Sequence, residues 1–277
     1  MTEQIIKEQN PHIAKHVLGD CALFNGDCLK IMKSIPDGSI DAIITDPPYG
    51  TTACKWDSVI PFNLMWEQLN RIIKSNGAIV LFGSEPFSSA LRMSNIKNYK
   101  YDLIWEKNRP SGFAMANKRQ MKSHENISLF YNKQPTFNKQ LEKRTSKSSI
   151  QRMKYKLKGN ISNNIYGNNK AISKEYDSEF CNPRSVIKID SISNTGRFHP
   201  TQKPVSLMEY LIKTYTNENE TVLDFTMGSG TTGVACLNLK RKFIGIEKDT
   251  KYYQNAKQRI ENQIKLHSEQ FSFDAIS

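Results

Sequence analysis

Little in this chain points to an extracellular or membrane setting. Its five cysteines (Cys21, Cys28, Cys54, Cys181 and Cys236) are odd in number and none forms a CxxC pair, so neither a disulfide framework nor a zinc site is indicated. The five histidines are scattered with no HxxxH pair, and no metal centre is expected. No stretch reaches the roughly 18 apolar residues of a membrane span. Met1-Thr2-Glu3-Gln4 lacks the charged-then-apolar start of a signal peptide. A soluble, cytoplasmic protein with reduced thiols is expected, with no membrane partner. Apolar residues are sparse too, 38% of the 277, with a mean hydropathy of −0.57. That is low for a compact enzyme, so part of the chain is expected to be polar surface.

Base outweighs acid. The net charge of +12 favours polyanionic partners. Between residues 132 and 199 there are 14 Lys/Arg against 5 Asp/Glu. Taken alone, that stretch reads as a solvated charged loop. It also loses clear periodicity and is rich in Lys, Arg, Asn and Ser, with isolated Tyr155, Tyr166, Tyr176 and Phe180. The chain length suits one large α/β domain carrying such an insertion.

Elsewhere, strand and helix signals alternate. Residues 1–20 read as a loosely held lead-in. Cys21–Asn25 reads as a strand, and Asp27 as the N-cap of a helix over 28–34. The apolar run Ala42-Ile43-Ile44-Thr45 reads as a buried strand. A helix opens at Pro61 and is ended by Ser75-Asn76-Gly77. A buried strand follows over Ala78–Gly83, then a helix over 85–94. Strands at Tyr101–Trp105 and Ile127–Tyr131 flank a basic loop, Arg109–Glu125. After the insertion, Pro204 begins a helix with Val205, Leu207, Met208, Leu211 and Ile212 on one face. A strand over Thr221–Phe225, a helix over Thr231–Leu239, a strand over Lys242–Glu247 and a long helix over Asp249–His267 complete the chain. This order predicts an α/β fold with a doubly wound, mostly parallel sheet.

Two motifs carry chemistry. Asp46-Pro47-Pro48-Tyr49 follows the strand that ends at Thr45. The prolines cannot donate to a sheet ladder, so the strand stops and the turn stiffens. A carboxylate, a proline carbonyl and an aromatic ring are thus presented at the carboxyl end of a strand, where open α/β sheets place their sites. Two acceptors can hold both hydrogens of an exocyclic base amine, whose lone pair is otherwise delocalised, while Tyr49 stacks on the base. The plainer alternative is a strand-ending turn with an exposed tyrosine. The second motif, Gly228-Ser229-Gly230-Thr231-Thr232-Gly233, fits GxGxxG between a strand and a helix, and the next strand ends at Glu247. Glu247 is placed to accept both ribose hydroxyls of a nucleoside. A nicotinamide cofactor would need a hydride-accepting site, and none is found. With the base-presenting turn, and with Asp224 before the loop, S-adenosyl-L-methionine is the expected cofactor, since nearby carboxylates and aromatic faces stabilise a sulfonium.

In these residues the chain resembles the DNA amino-methyltransferases. Gly26-Asp27-Cys28, Ile43 to Tyr49, His199-Pro200-Thr201-Gln202-Lys203-Pro204, Asp224 to Gly233 and Glu247 carry the resemblance. The catalytic motif precedes the cofactor loop, which resembles the circularly permuted β-class of restriction–modification systems and phages. Where that family commonly has Asp-Pro-Phe, this chain has Asp224-Phe225-Thr226, so the turn there is expected to differ in shape.

The resemblance implies a Rossmann-like fold with a catalytic half over 21–131, a target-recognition region over 132–198 and a cofactor-binding half over 199–267. It implies a catalytic set of Asp46, Pro47, Pro48 and Tyr49. The implied cofactor pocket holds Asp27 at the adenine amine, Glu247 at the ribose, and Thr201 and Lys203 at the methionine carboxylate, with Asp46, Asp224, Phe225, Gly228, Ser229, Gly230 and Thr231 around methionine and sulfonium. For Asp27, a plain helix cap is nearly as good a reading. The implied activity is site-specific methylation of adenine N6 in duplex DNA, with double-stranded DNA as partner, in a prokaryotic or phage setting. Cytosine N4, an RNA base, and a binding module without catalysis stay open, as do a homodimer and a cognate restriction endonuclease.

Overall fold

A computed structural model describes residues 14–52, 54, 57–156, 179–193 and 201–274. The lead-in before residue 14, His199-Pro200, Tyr166 and Tyr176 lie outside them. The described residues fall into two units, one drawn from 1–138 and 185–277, the other from 139–184.

The larger unit is a nine-stranded sheet. Its strands are β1 (Ala14–Leu18), β2 (Cys21–Asn25), β3 (Ile40–Thr45), β4 (Ile73–Gly83), β5 (Tyr99–Ser111), β6 (Lys122–Phe130), β9 (Val186–Lys188), β10 (Thr221–Asp224) and β11 (Lys242–Glu247). The order across the sheet is β1-β2-β11-β10-β3-β4-β6-β5-β9. The central strands from β2 to β4 all pair in parallel. β1, β6 and the β5–β6 pair bring in antiparallel contacts. Central parallel strands are buried on both faces, which is why they read as unbroken apolar runs.

Helices cover both faces. Against one pack α1 (Cys28–Met32), α2 (Phe62–Ile72) and α3 (Phe87–Ser94), through Ile31, Met32, Trp66, Leu69 and Leu91 onto Ile43, Ile79, Leu81 and Leu223. Against the other pack α5 (Val205–Tyr215), α6 (Thr231–Asn238) and α7 (Thr250–Asp274), through Leu207, Leu211, Val234, Tyr253 and Ile260 onto Ala42, Ile44, Val80 and Val222. Among the described residues no helix is long and apolar enough to cross a membrane.

The chain winds outward in two directions from the adjacent strands β3 and β10. That makes their carboxyl ends the crevice in which open α/β sheets bind ligands.

Several elements differ from the sequence expectation. Residues 14–18 are strand β1, paired with β2, and not loose lead-in. Ser75-Asn76-Gly77 does not end a helix: α2 stops at Ile72 and β4 starts at once. Ile40 pairs with Ile73 but Ala42 with Ala78, so the three residues form an irregularity inside the strand pairing. Glycine is needed there for close approach, since a Cβ at Gly77 would lie 2.8 Å from the Asp41 carbonyl oxygen. The basic loop is also shorter than expected, because β5 runs on to Ser111 and β6 begins at Lys122.

The smaller unit holds the two-residue strands β7 (Glu142–Lys143) and β8 (Phe180–Cys181) and the helix α4 (Lys147–Lys156). Arg184 closes it with an ion pair to Glu142 at 2.7 Å.

Candidate active site

At the end of β3 the Asp46 carboxylate is held from two sides. The Tyr49 hydroxyl donates to Oδ1 and Lys203 Nζ donates to Oδ2. Lys203 precedes α5 and is only 7% exposed. Its ammonium also lies 3.2 Å from Glu125 Oε2 and 5.1 Å from the centre of the Phe82 ring. Glu125, on β6, in turn accepts from Lys107 Nζ of β5 at 3.0 Å. The result is a largely buried file of alternating charge, Asp46, Lys203, Glu125, Lys107, with Lys203 the most deeply buried, and pairing is what makes such burial tolerable. Burial pushes the Asp46 carboxyl above its ordinary value, against the pull of Lys203. Burial alone would lower Lys203, yet Asp46 and Glu125 hold it above the usual lysine value. Glu125 is held low by Lys203 and Lys107 in spite of its burial.

The loop after the Asp46–Tyr49 turn is tied by Asp57. Its Oδ1 accepts from the backbone amides of Tyr49 (2.8 Å) and Gly50 (2.9 Å), and its Oδ2 from those of Thr51 (2.9 Å) and Thr52 (2.6 Å). Phe87 lies against the Tyr49 ring, with centroids 5.0 Å apart. The tyrosine is thereby fixed by its backbone, its ring and its hydroxyl.

The neighbouring strands build the other end. Asp224 closes β10 and is buried. It accepts from Thr45 Oγ1 (2.6 Å), Thr232 Oγ1 (2.5 Å) and the Thr226 amide (3.2 Å). Thr226 marks the turn where the sequence departs from Asp-Pro-Phe. Its Oγ1 lies 2.7 Å from Thr45 Oγ1 and 3.2 Å from the Asp46 carbonyl oxygen, joining the two strand ends. Glu247 closes β11 and accepts from the amides of Gly228 (2.9 Å) and Asp249 (2.8 Å). Burial lifts Asp224 to about 6 and Glu247 to about 7, because hydroxyls and amides offset the lost hydration only in part.

Asp27 caps α1, its Oδ1 accepting from the Leu29 amide at 3.0 Å, and its Oδ2 lies 3.6 Å from Lys248 Nζ. Gly228 and Gly230 have φ of 51° and 73°, left-handed values that favour glycine. A Cβ on Gly230 would lie 3.0 Å from the Ala256 Cβ, so this glycine also lets α6 pack on α7. Arg259 braces the loop from behind, donating to the Ser229 carbonyl (3.2 Å) and to Thr231 Oγ1 (2.9 Å).

A cavity of about 510 Å³ opens between these two ends. Asp27, Asp46, Pro47, Pro48, Tyr49, Thr201, Lys203, Asp224, Phe225, Gly228, Ser229, Thr231 and Glu247 all line it, and of the sequence-predicted residues only Gly230 stands behind its wall. Asp57, Glu125, Lys107 and Arg259 were not singled out from sequence, and Thr226 only as part of a turn expected to differ in shape.

Residues 40–258 match the family model described as DNA methylase, N6_N4_Mtase. The chain belongs to this DNA methylase family. It is 30% identical over 257 residues to the type II methyltransferase M.BglII of Bacillus subtilis, covering 85% of this chain and 68% of that protein. To the DNA adenine methyltransferase YhdJ of Escherichia coli (strain K12) it is 28% identical over 253 residues, covering 86% and 82%. The crystal structure of the M1.HpyAVI–SAM complex aligns with a TM-score of 0.58 at 29% identity, over 87% of this chain and 98% of that one.

This DNA amino-methyltransferase is thus of the restriction–modification type, has the Rossmann-like methyltransferase fold, and uses S-adenosylmethionine. The residues present suit that cofactor. Asp224 and Glu247 form no ion pair with any described residue, and each accepts only hydroxyl or amide donors. Two carboxylates without a counter-ion, beside the Phe225 segment, suit a ligand that brings a cation for one and hydroxyl donors for the other.

Proposed function

We propose that the chain methylates the N6 amine of an adenine turned out of duplex DNA at one short sequence. S-adenosylmethionine supplies the methyl group as an electrophile when bound. Glu247 accepts from the ribose hydroxyls, Asp224 and the Gly228–Thr231 loop shape the methionine end, and Asp27 and Thr201 contribute at the adenine and carboxylate ends.

The observation that carries this reading is the Asp46 carboxylate, fixed at the cavity by Lys203 and Tyr49. A carboxylate has about four acceptor positions, and two of them are used here. The others, with the Pro47 carbonyl, are free to take the two hydrogens of the target amine. Holding both hydrogens out of the ring plane restores the nitrogen lone pair, so the amine itself attacks and no enzyme–base bond forms. The methylated nitrogen then sheds a proton, for which Asp46, raised by its burial, is the acceptor at hand. Lys203 stays protonated throughout and keeps the carboxylate oriented. Tyr49 stacks on the base.

Adenine is favoured over cytosine by the aspartate at position 46, where the comparison with serine-bearing relatives leans to adenine, and by the likeness to a relative named as an adenine methyltransferase. For target recognition we propose the region 132–198, between a catalytic half over 21–131 and a cofactor half over 199–267. Its Lys, Arg and Asn residues are of the types that read base edges and phosphates.

Single-molecule sequencing of DNA from cells expressing the chain, with Asp46→Ala as control, tests the reading. N6-methyladenine at one short motif in the wild type alone is the expected result. N4-methylcytosine at that motif would move the target to cytosine. Unmodified DNA, with protein that still binds S-adenosylmethionine, would move it to RNA.

A further inference from the structure

The hairpin of β5 and β6 carries features that methyl transfer does not use. It is planted at the cavity: Asn126 pairs with Gly83 at the end of β4, and Glu125 beside it meets Lys203. From Asn126 the arm runs on to the Ser111–Lys122 pair, about 13 Å of strand at 3.3 Å per residue. Its tip folds on itself. The Met115 amide donates to the Gly112 carbonyl (2.9 Å), that of Ala116 to Phe113 (3.0 Å) and that of Arg119 to Met115 (3.0 Å). Yet the largest side chain of this ordered tip, Phe113, is 83% exposed, with Met115 and Met121 also exposed beside it. Residues 107–122 contain five Lys/Arg and no Asp/Glu. Lys107 and Lys122 turn inward, to Glu125 and Ser84, while Arg109, Lys118 and Arg119 are exposed. An apolar ring with a cationic rim complements a base stack flanked by phosphates. A second copy of a chain charged +12 would bring like charge to that rim.

We infer that this tip is a wedge that enters the duplex: Phe113 inserts into the base stack beside the target while Arg109, Lys118 and Arg119 hold the flanking phosphates. The inference rests on the DNA reading above and adds the means of extrusion. Turning a base out breaks its pairing and stacking, and an inserted ring recovers part of that stacking.

The test compares single-turnover methylation of a matched duplex with that of the same duplex carrying a mismatch opposite the target. Phe113→Ala should lower the rate on the matched duplex about tenfold or more and regain nearly the wild-type rate on the mismatched one, whose target is already unpaired. Lys118→Ala with Arg119→Ala should weaken binding of both duplexes alike and reduce the logarithmic salt slope by about 2. An equal loss on both duplexes for Phe113→Ala, or no loss on either, overturns the wedge. So does a change in oligomeric state of that variant, which would put a second copy over the ring. A wild type that methylates neither duplex overturns the DNA reading and the wedge with it, whereas the variant-to-wild-type ratio bears on the wedge alone.

Discussion

The two ends of the cavity treat buried negative charge in opposite ways. At the catalytic end, Asp46 has a permanent counter-ion in Lys203, and Glu125 shares that lysine with it and takes a second in Lys107. At the cofactor end, Asp224 and Glu247 have only hydroxyl and amide donors, and burial leaves them at about 6 and about 7. The difference matches the division of labour in the proposed function. On that function, the carboxylate that orients a neutral amine is served by a fixed cation, which opposes the lift that burial gives it and holds it in place. On the same reading, Asp224 is left without a cation so that the sulfonium supplies the missing charge, while Glu247, which takes neutral ribose hydroxyls, needs none. Each end should therefore fail in its own way.

The largest effect is expected at Lys203. Lys203→Met leaves two buried carboxylates sharing a site with no cation between them. The rate of transfer should fall by about 10²-fold or more, as Asp46 loses its orientation, and stability by about 3–5 kcal/mol, read by single-turnover kinetics and urea unfolding. The double variant with Glu125→Gln should be less destabilised than the sum of the two single changes, since one buried charge leaves with the other. Were the methionine carboxylate the main partner of Lys203, as the sequence suggested, the loss would fall on KM for S-adenosylmethionine with kcat kept.

Tyr49 comes next, and two substitutions separate its roles. Tyr49→Ala removes the stacking platform and should cost about 1–3 kcal/mol in the transfer step, a loss of about 5–150-fold. Tyr49→Phe keeps the ring on Phe87 and loses only the hydrogen bond to Asp46, which Lys203 still holds, so its loss should stay within about tenfold. Equal losses in the two variants would assign the tyrosine to the carboxylate and not to the base.

How far these roles were legible depended on whether they were local. Asp46-Pro47-Pro48-Tyr49 and the glycine loop could be read because prolines, glycines and strand ends act on their immediate neighbours. The central parallel strands were legible for the same reason, as unbroken apolar runs. Lys203 was legible as a motif residue but not as the partner of Asp46, which lies 157 positions away. Glu125 gave no signal at all: it stood in what read as a basic loop, and only the extension of β6 brings it under Lys203. Asp57 gave no signal either, because its four amide donors come from a turn that only the fold brings round it. Gly77 misled, since it reads as a helix stop and instead lets β4 come close to the Asp41 carbonyl of β3.

At the cofactor end the effects are smaller and depend on pH. Asp224→Asn keeps the shape and removes the charge. It should weaken S-adenosylmethionine by about tenfold at pH 8 and its neutral-sulfur product much less, as measured by calorimetry. In the wild type, the preference for the sulfonium over the thioether should grow as pH rises through about 6 and Asp224 ionises. A preference independent of pH, or unchanged in the variant, would show that the sulfonium is held by something other than this carboxylate.

The smallest effect is on the protein without its cofactor, and its sign is opposite to that of an ordinary salt-bridged acid. Glu247 sits at about 7 when folded, against an ordinary 4.5, so over that interval the folded protein binds more protons than the unfolded chain. Stability must then fall as pH rises from about 5 to about 7, and the contribution is complete only below the unfolded value. The exposure of the carboxylate to the cavity screens the effect, leaving a change on the order of 1 kcal/mol. It is read as the difference in thermal stability between wild type and Glu247→Gln at pH 5 and pH 7.5, since the substitution cancels every other titrating group. That difference should narrow when saturating S-adenosylmethionine is added, because ribose hydroxyls donating to the carboxylate favour its charged form and draw its value down. A wild-type-to-variant difference that does not move with pH would mean that Glu247 is already ionised without the cofactor, and the contrast between the two ends would then rest on Asp224 alone.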